Sequence, residues 1–234
     1  MRTSRDNTAG NDMRQRIKKV ATELLIRKGF RGASYGDIAT ALGTTTTNIH
    51  YHFGPKKKLV EEVVRDYVDS VLLRHHKIWH APETSLSEKL DGVVAFNAER
   101  HRKFNRGGVG GRPWSLIGRL RLESDLLSPR ARDALADFSL HVHEYVLAAV
   151  NAARDSGELR PDSPIEDIAF LLTSIVNTSS TFTQEAGSID RLAAYFRTVS
   201  RLVTSAYASA GPVSNHRHHP DAELLTHAKS SINR

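Results

Sequence analysis

Residues 43–58 read Gly43-Thr44-Thr45-Thr46-Thr47-Asn48-Ile49-His50-Tyr51-His52-Phe53-Gly54-Pro55-Lys56-Lys57-Lys58. Gly43 suits a left-handed helix stop, and Thr45 suits the cap of a short helix that follows. Thr45, Thr46, Thr47 and Asn48 are short enough to reach base edges or phosphates without filling a groove. Their hydroxyl and amide groups can hydrogen-bond there, and the threonine methyls can meet a thymine methyl. His50, Tyr51 and His52 carry polar tips on rigid rings, which suits phosphate contacts that set register. Phe53 is placed to pack behind this helix. Lys56, Lys57 and Lys58 then open the next helix, where the macrodipole disfavours cations by a few tenths of a kcal/mol or more each. A bound phosphate chain would turn that penalty into attraction.

Upstream, Ser34 followed by Asp37 forms a capping-box start, and Ile38, Ala39 and Leu42 give a second short apolar face. Before it, Ile17, Val20, Ala21, Leu24 and Leu25 recur at the spacing of one buried helical face, closed by Gly29. Two short helices separated by Gly43 make a helix-turn-helix, whose second helix enters the major groove while the first crosses the backbone. Charge agrees with that reading. Of the 234 residues, the first 58 hold 12 Lys+Arg against 4 Asp+Glu, a balance of +8, whereas the rest hold 21 against 22. The whole positive excess therefore lies in the first quarter, as expected of a segment that meets an anionic partner.

These residues resemble a known family. Gly29-Phe30 through Ser34, Asp37-Ile38-Ala39, Leu42-Gly43, Thr45, Ile49, His52-Phe53, Lys56 and Leu59 are similar to the N-terminal signature of the tetracycline-repressor (TetR) regulators. The resemblance covers roughly residues 13–60. It implies an all-α chain: an N-terminal three-helix DNA-binding domain with a helix-turn-helix, then a larger helical ligand-binding and dimerisation domain. It also implies that a small molecule in the second domain releases the operator. Carried over by position, Ser34 and Thr45 match phosphate-contacting helix starts, and Thr46, Thr47 and Asn48 fall on the base-facing turn. His50 stands where tyrosine is usual, and Lys56 matches a phosphate-binding lysine. Thr47 replaces a frequent glycine or alanine, Pro55 a capping serine and Lys57 an acidic residue. The expected DNA-binding set is thus Ser34, Thr45, Thr46, Thr47, Asn48, His50, Tyr51, His52, Lys56 and Lys57.

The expected organisation is a mobile arm over 1–11, the DNA-binding domain over 12–58, a helical effector-binding and dimerisation domain over 59–210, and a disordered tail over 211–234. Within the second domain, helices are expected from Pro55 to the Ala81-Pro82 break and over 86–103, 113–127, 128–156, 164–183 and 188–208. Gly107–Gly111 lacks the Lys-Ser/Thr of a phosphate loop and reads as a hinge or pocket mouth. Ile165, Ile168, Ala169, Leu172, Ile175 and Val176 form one apolar face. Leu192, Tyr195, Phe196, Val199, Leu202, Val203 and Ala206 form another. In the resembled family the last two helices pair across a homodimer, so polar substitution at Val199 and Leu202 should give monomers.

Trp79, Phe96, Trp114, Phe138 and Tyr145 supply rings for a pocket, and Arg100, His101, His141 and Asn177 could orient a polar group of an unknown small-molecule effector. No catalytic constellation and no cofactor or metal site is expected. The chain has no cysteine, hence no thiolate nucleophile or thiolate zinc site. His76 and His80 share a helix face, but position 77 is lysine rather than the glutamate of a zinc-hydrolase helix. The absence of a long apolar run argues against a membrane span, and a soluble, cytoplasmic protein is expected. Two rival readings remain at this level: a non-specific DNA-binding protein, and a helical small-molecule binder or enzyme.

Overall fold

Ser34 and Thr45 each start a helix by accepting a backbone N–H three residues on, Asp37 and Asn48 respectively. Asp37 completes the box by accepting the Ser34 N–H at 3.0 Å. The computed structural model describes residues 3–105 and 110–209. Its elements are α1 (Thr3–Gly32), α2 (Tyr35–Leu42), α3 (Thr46–Phe53), α4 (Lys56–Trp79), α5 (Leu86–Phe104), α6 (Leu116–Arg121), α7 (Pro129–Asp155), α8 (Ile165–Ala186) and α9 (Ile189–Tyr207), with a 3₁₀ turn at Ser124–Leu126. No strand occurs among the described residues; Leu159 and Ala208 form one isolated bridge.

The all-α expectation holds, with local differences. Residues 3–11, expected as an arm, lie inside α1. Once a helix is nucleated each added residue gains a hydrogen bond, and 3–11 holds no proline to stop it. The helix expected over 113–127 is reduced to α6 and the 3₁₀ turn. Asn105 explains the shortening: its side chain accepts from the Arg112 N–H at 2.9 Å and donates to the Arg112 carbonyl at 3.1 Å. Such bonds offer the backbone an alternative to helix. Pro55 precedes α4 as an extended cap without a side-chain bond, so Lys56 is the first helical residue. The tail over 211–234, including His216–His219, lies outside the described residues, as do three of the five residues of 107–111.

The first three helices and the start of α4 close on Ile17, Ala21, Leu25, Ile38, Ile49 and Phe53, all buried. In the larger body α4 packs on α7, α7 on α8, α8 on α9 and α9 on α5. The boundary expected at 58/59 falls within α4, one continuous helix that serves both parts. The faces expected to meet a second chain are mostly used inside this one. Ile165, Ile168, Ala169, Leu172, Ile175, Leu192, Phe196 and Val199 are all buried in the intrachain core. Val199 is therefore not an interface position. The exposed large apolar residues of these helices are Phe170 (70 %), Leu171 and Leu202 (64 %), and Ala206 of the expected face is exposed as well.

The two parts join at a break in α1. Gly29 has φ 72° and ψ −175°, a conformation open to glycine at little steric cost. A new turn starts there, and its free N–H groups at Phe30 and Arg31 both donate to the Glu123 carboxylate, at 2.6 and 3.2 Å. An anion is favoured where helix N–H groups are unpaired. Arg119 holds the same carboxylate at 3.0 Å and donates to the Lys28 carbonyl at 3.3 Å. Arg119 and Glu123 belong to α6 and the turn after it, so this segment grips the first helix directly.

Candidate nucleic-acid interface and core cavity

Thr45, Thr46, Thr47, His50 and Tyr51 are exposed on α3 or at its start, and Tyr51 is the most open at 84 %. Ile49 and Phe53 turn inward. Asn48 is half-buried and its amide NH₂ donates to the Thr44 hydroxyl at 3.0 Å, which leaves its carbonyl oxygen and its second N–H free. The His50 ring packs edge-on against Tyr35, with centroids 4.6 Å apart, and its Nδ1 donates to the Gly54 carbonyl at 3.1 Å. Nε2 has no hydrogen-bond partner among the described residues. His52 is half-buried, edge-on to Tyr51. The Ser34 hydroxyl is spent within the capping box, donating to Asp37 at 2.7 Å.

The lysines at the start of α4 divide. Lys56 is half-buried: its ammonium donates to the Phe30 carbonyl and lies 4.4 Å from the centre of the Phe30 ring. Desolvation lowers its pKa, against the opposing pull of Glu123 and Asp37. It braces the junction instead of projecting outward with its neighbours. Lys57 and Lys58 are exposed, and Lys58 pairs with Glu61 at 3.2 Å. Arg14, absent from the expected set, donates to the His52 carbonyl and to Glu62 while covering the Phe53 ring at 4.2 Å. That arrangement ties α1 to the end of α3.

Of the nine expected pocket residues, five come together. Phe96, Arg100, Trp114, Phe138 and Asn177 line one cavity between α4, α5, α6, α7 and α8, with about 30 Å³ of free space. Trp79 lines a separate groove at the far end of α4. Tyr145 packs on the stacked rings of His76 and His80, with His141 beside it, and neither Tyr145 nor His141 lines the cavity. His101 is fully buried, with its Nε2 3.1 Å from the Gly110 carbonyl. Ten residues of the cavity were not in the expected set, Arg121 and His75 among them. Arg121 reaches Ser139 Oγ at 2.6 Å, Asn177 Oδ1 at 3.4 Å and the Leu135 carbonyl at 3.4 Å. His75 is 3 % exposed, its Nδ1 has no partner, and the Phe96 and Phe138 rings meet it edge-on. A signal for His75 existed: it stands in register with Val64, Val68, Val71 and Trp79 on the buried face of α4.

A second, larger space of about 340 Å³ lies between α1, α4 and α5 and shares Val71, Phe96, Arg100 and Trp114 with the first. Arg100 stands where the two spaces meet. Its guanidinium lies 4.6 Å from the Tyr67 ring centre and 5.0 Å from that of Phe96. Burial lowers its pKa to about 10.

Burial also holds His75 down to about 4. An unfolded histidine takes its proton near 6.5, so between about 6.5 and 4 the unfolded chain binds the extra proton and the folded chain resists it. Stability is therefore lost as pH falls through that window, about 2 kcal/mol of it by pH 5. Thermal melts of H75F and the parent at pH 7 and pH 5 should show a smaller acid-induced drop in the variant. Equal drops would mean that His75 is not the group responsible.

Two family profiles match this chain. The one described as bacterial regulatory proteins, tetR family, matches residues 17–63, and a tetracyclin repressor-like C-terminal domain matches residues 116–199. The chain belongs to the TetR family. The first match covers the helix-turn-helix, and the two together span more than half the sequence. Among curated TetR relatives, the HTH-type transcriptional repressor KstR2 of Mycolicibacterium smegmatis is 32% identical over 91 residues, 38% of this chain and 44% of that repressor. KstR2 of Mycobacterium tuberculosis is 28% identical over 100 residues, 41% of this chain and 50% of that one. The chain thus matches about half the length of these relatives. A TetR-family regulator from Agrobacterium tumefaciens superposes with TM-score 0.69 at 18% identity, covering 86% of this chain and 100% of that one. A putative regulator from Saccharomonospora viridis, solved in complex with choline, gives TM-score 0.67 at 21% identity over 86% of this chain and 100% of that one. At such identities the likeness is one of fold. No helix among the described residues is long and apolar enough to cross a membrane.

Proposed function

We propose that the protein is a homodimeric transcriptional repressor that binds a palindromic DNA operator through α3 and releases it when a small molecule occupies the space around Arg100. The observation that carries this reading is the exposed set Thr46, Thr47 and Tyr51 on a capped α3, flanked by the cationic start of α4. Base edges are read by the short polar side chains, and phosphates are held by Lys57, Lys58 and the Thr45 hydroxyl. A two-fold dimer would set two such helices about one DNA turn, ~34 Å, apart.

Coupling runs through α6. Arg121 at its end lines the cavity, while Glu123 just beyond it caps Phe30 and Arg31. A ligand that displaces α6 displaces the carboxylate that holds the turn after Gly29, and with it the setting of the helix-turn-helix. A difference of a few kcal/mol in effector affinity between the two arrangements suffices to release DNA. The repressor names of the KstR2 relatives agree with this reading.

Selection of bound sequences from a random duplex library tests it. A palindrome is the expected product; equal binding to all sequences would instead favour a non-specific DNA-binding protein. With the selected operator, Thr46→Ala and Thr47→Ala should each lose ~1–3 kcal/mol on that site and little on random DNA. Lys57→Ala should weaken all duplexes alike and reduce the salt slope by about 1. An unchanged slope removes Lys57 from the phosphate contacts. Lys56→Ala, by contrast, should act on thermal stability, because its ammonium is engaged with Phe30.

A further inference from the structure

The chamber between α1, α4 and α5 is walled by Ile26, Tyr67, Phe96, Phe104 and Trp114, an apolar lining with about 340 Å³ of free space. That is the lower end of the range for small-molecule sites. Arg100 is the charged group that this chamber shares with the inner cavity, and no carboxylate lies within 4.0 Å of it among the described residues. It makes no hydrogen bond there either; only aromatic rings face its guanidinium. The inner cavity contributes a second arginine, Arg121, and no aspartate or glutamate. Glu23, the acid at the chamber's rim, is already paired with Lys103 at 2.8 Å, and Lys19 stands nearby.

A half-buried cation without a counter-ion gives up part of its hydration uncompensated. An anion would remove that cost, whereas a cationic or neutral ligand would leave it in place. The number of free donors narrows the class further. Arg121 is occupied by Ser139, Asn177 and the Leu135 carbonyl, so one guanidinium fork remains open, and one fork matches one carboxylate in bidentate geometry.

We propose that this chamber binds an amphipathic carboxylate, its head on Arg100 and its apolar body between Ile26, Phe96 and Phe104. The regulatory consequence of binding rests on the effector reading above; the site and its ligand class do not. Because α1 forms one wall, a ligand here touches the first helix of the three-helix DNA-binding domain directly.

Calorimetry on the full-length protein tests the assignment with matched pairs: octanoate and octanamide, decanoate and decanamide, 4-phenylbutyrate and its primary amide. At least one acid is expected to bind tenfold or more tighter than its amide. R100M should erase that preference and R100K should keep most of it, with melting curves of both unliganded variants as the check on folding. T22W, which places an indole in the chamber from α1 while leaving Arg100 untouched, should weaken acid binding at least tenfold. Binding of no acid, equal binding of acids and amides, a preference that survives R100M in a folded protein, or unaltered binding in T22W would each overturn the proposal. The operator readout separates the two ideas. An acid that binds in this way without changing operator affinity leaves the site standing and removes the effector role. A neutral compound that releases the operator when no acid binds does the reverse.

Discussion

Light scattering on the double variant F170D/L202D is expected to return the mass of a single 26.0 kDa chain where the parent returns twice that. Phe170 and Leu202 are exposed at 70 and 64 % on the outer sides of α8 and α9, whose inner sides are consumed by the intrachain core. In a two-fold dimer each side chain is buried twice. At ~1.5–3 kcal/mol per large apolar side chain, the four together contribute on the order of 6–12 kcal/mol. Four carboxylates in their place would bury unpaired charge, so the effect should be all or nothing at micromolar concentration. The operator should register the loss as well. Two linked recognition helices bind with an effective concentration that separated ones lack, and the affinity should fall by roughly 10²–10⁴. A dimer that persists in the double variant would place the interface on another face.

Gly29→Ala is the second large effect. At φ 72° a side chain is strained whatever the space around it, and here a Cβ would also overlap the Glu123 carboxylate and come within 2.8 Å of the Arg119 guanidinium. Neither neighbour can retreat freely, since both hold α1: Glu123 through the Phe30 and Arg31 N–H groups, Arg119 through the Lys28 carbonyl. The substitution should cost about 2–4 kcal/mol and lower the melting temperature by roughly 10 °C. E123Q keeps the shape and removes the charge, and should cost less, about 1–2 kcal/mol. If G29A melted with the parent, the grip of α6 on the first helix would be energetically idle.

The helix-turn-helix was readable because its signals are local. Ser34, Asp37, Gly43 and Thr45 act within three or four residues of themselves, and each does in the structure what its type and position suggest. Residues whose partners are distant were not readable. Lys56 matches a phosphate-binding lysine by position, yet Phe30, 26 positions earlier, turns it inward. Glu123 carries no hint in its own surroundings that it caps amides 93 and 92 residues away. Arg121 lies on a six-residue helix, too short for a periodic face. The apolar stripes of α8 and α9 were seen correctly as stripes, but a sequence cannot tell whether a stripe meets its own chain or a second one. Val199 meets its own chain; Leu202 does not.

The length of α4 has a mechanical consequence. Its 24 residues make a rod of about 36 Å, with Lys56 against Phe30 at one end and Trp79 beside the far groove at the other. No proline lies within it to act as a joint. A tilt of about 5° imposed where His75 and Val71 border the cavity would swing the DNA-facing tip by roughly 2 Å. Shifts at that tip are comparable to the tolerance of a hydrogen bond to a base. A small angular change in the body is thereby magnified into a misfit on DNA, with no helix having to unwind.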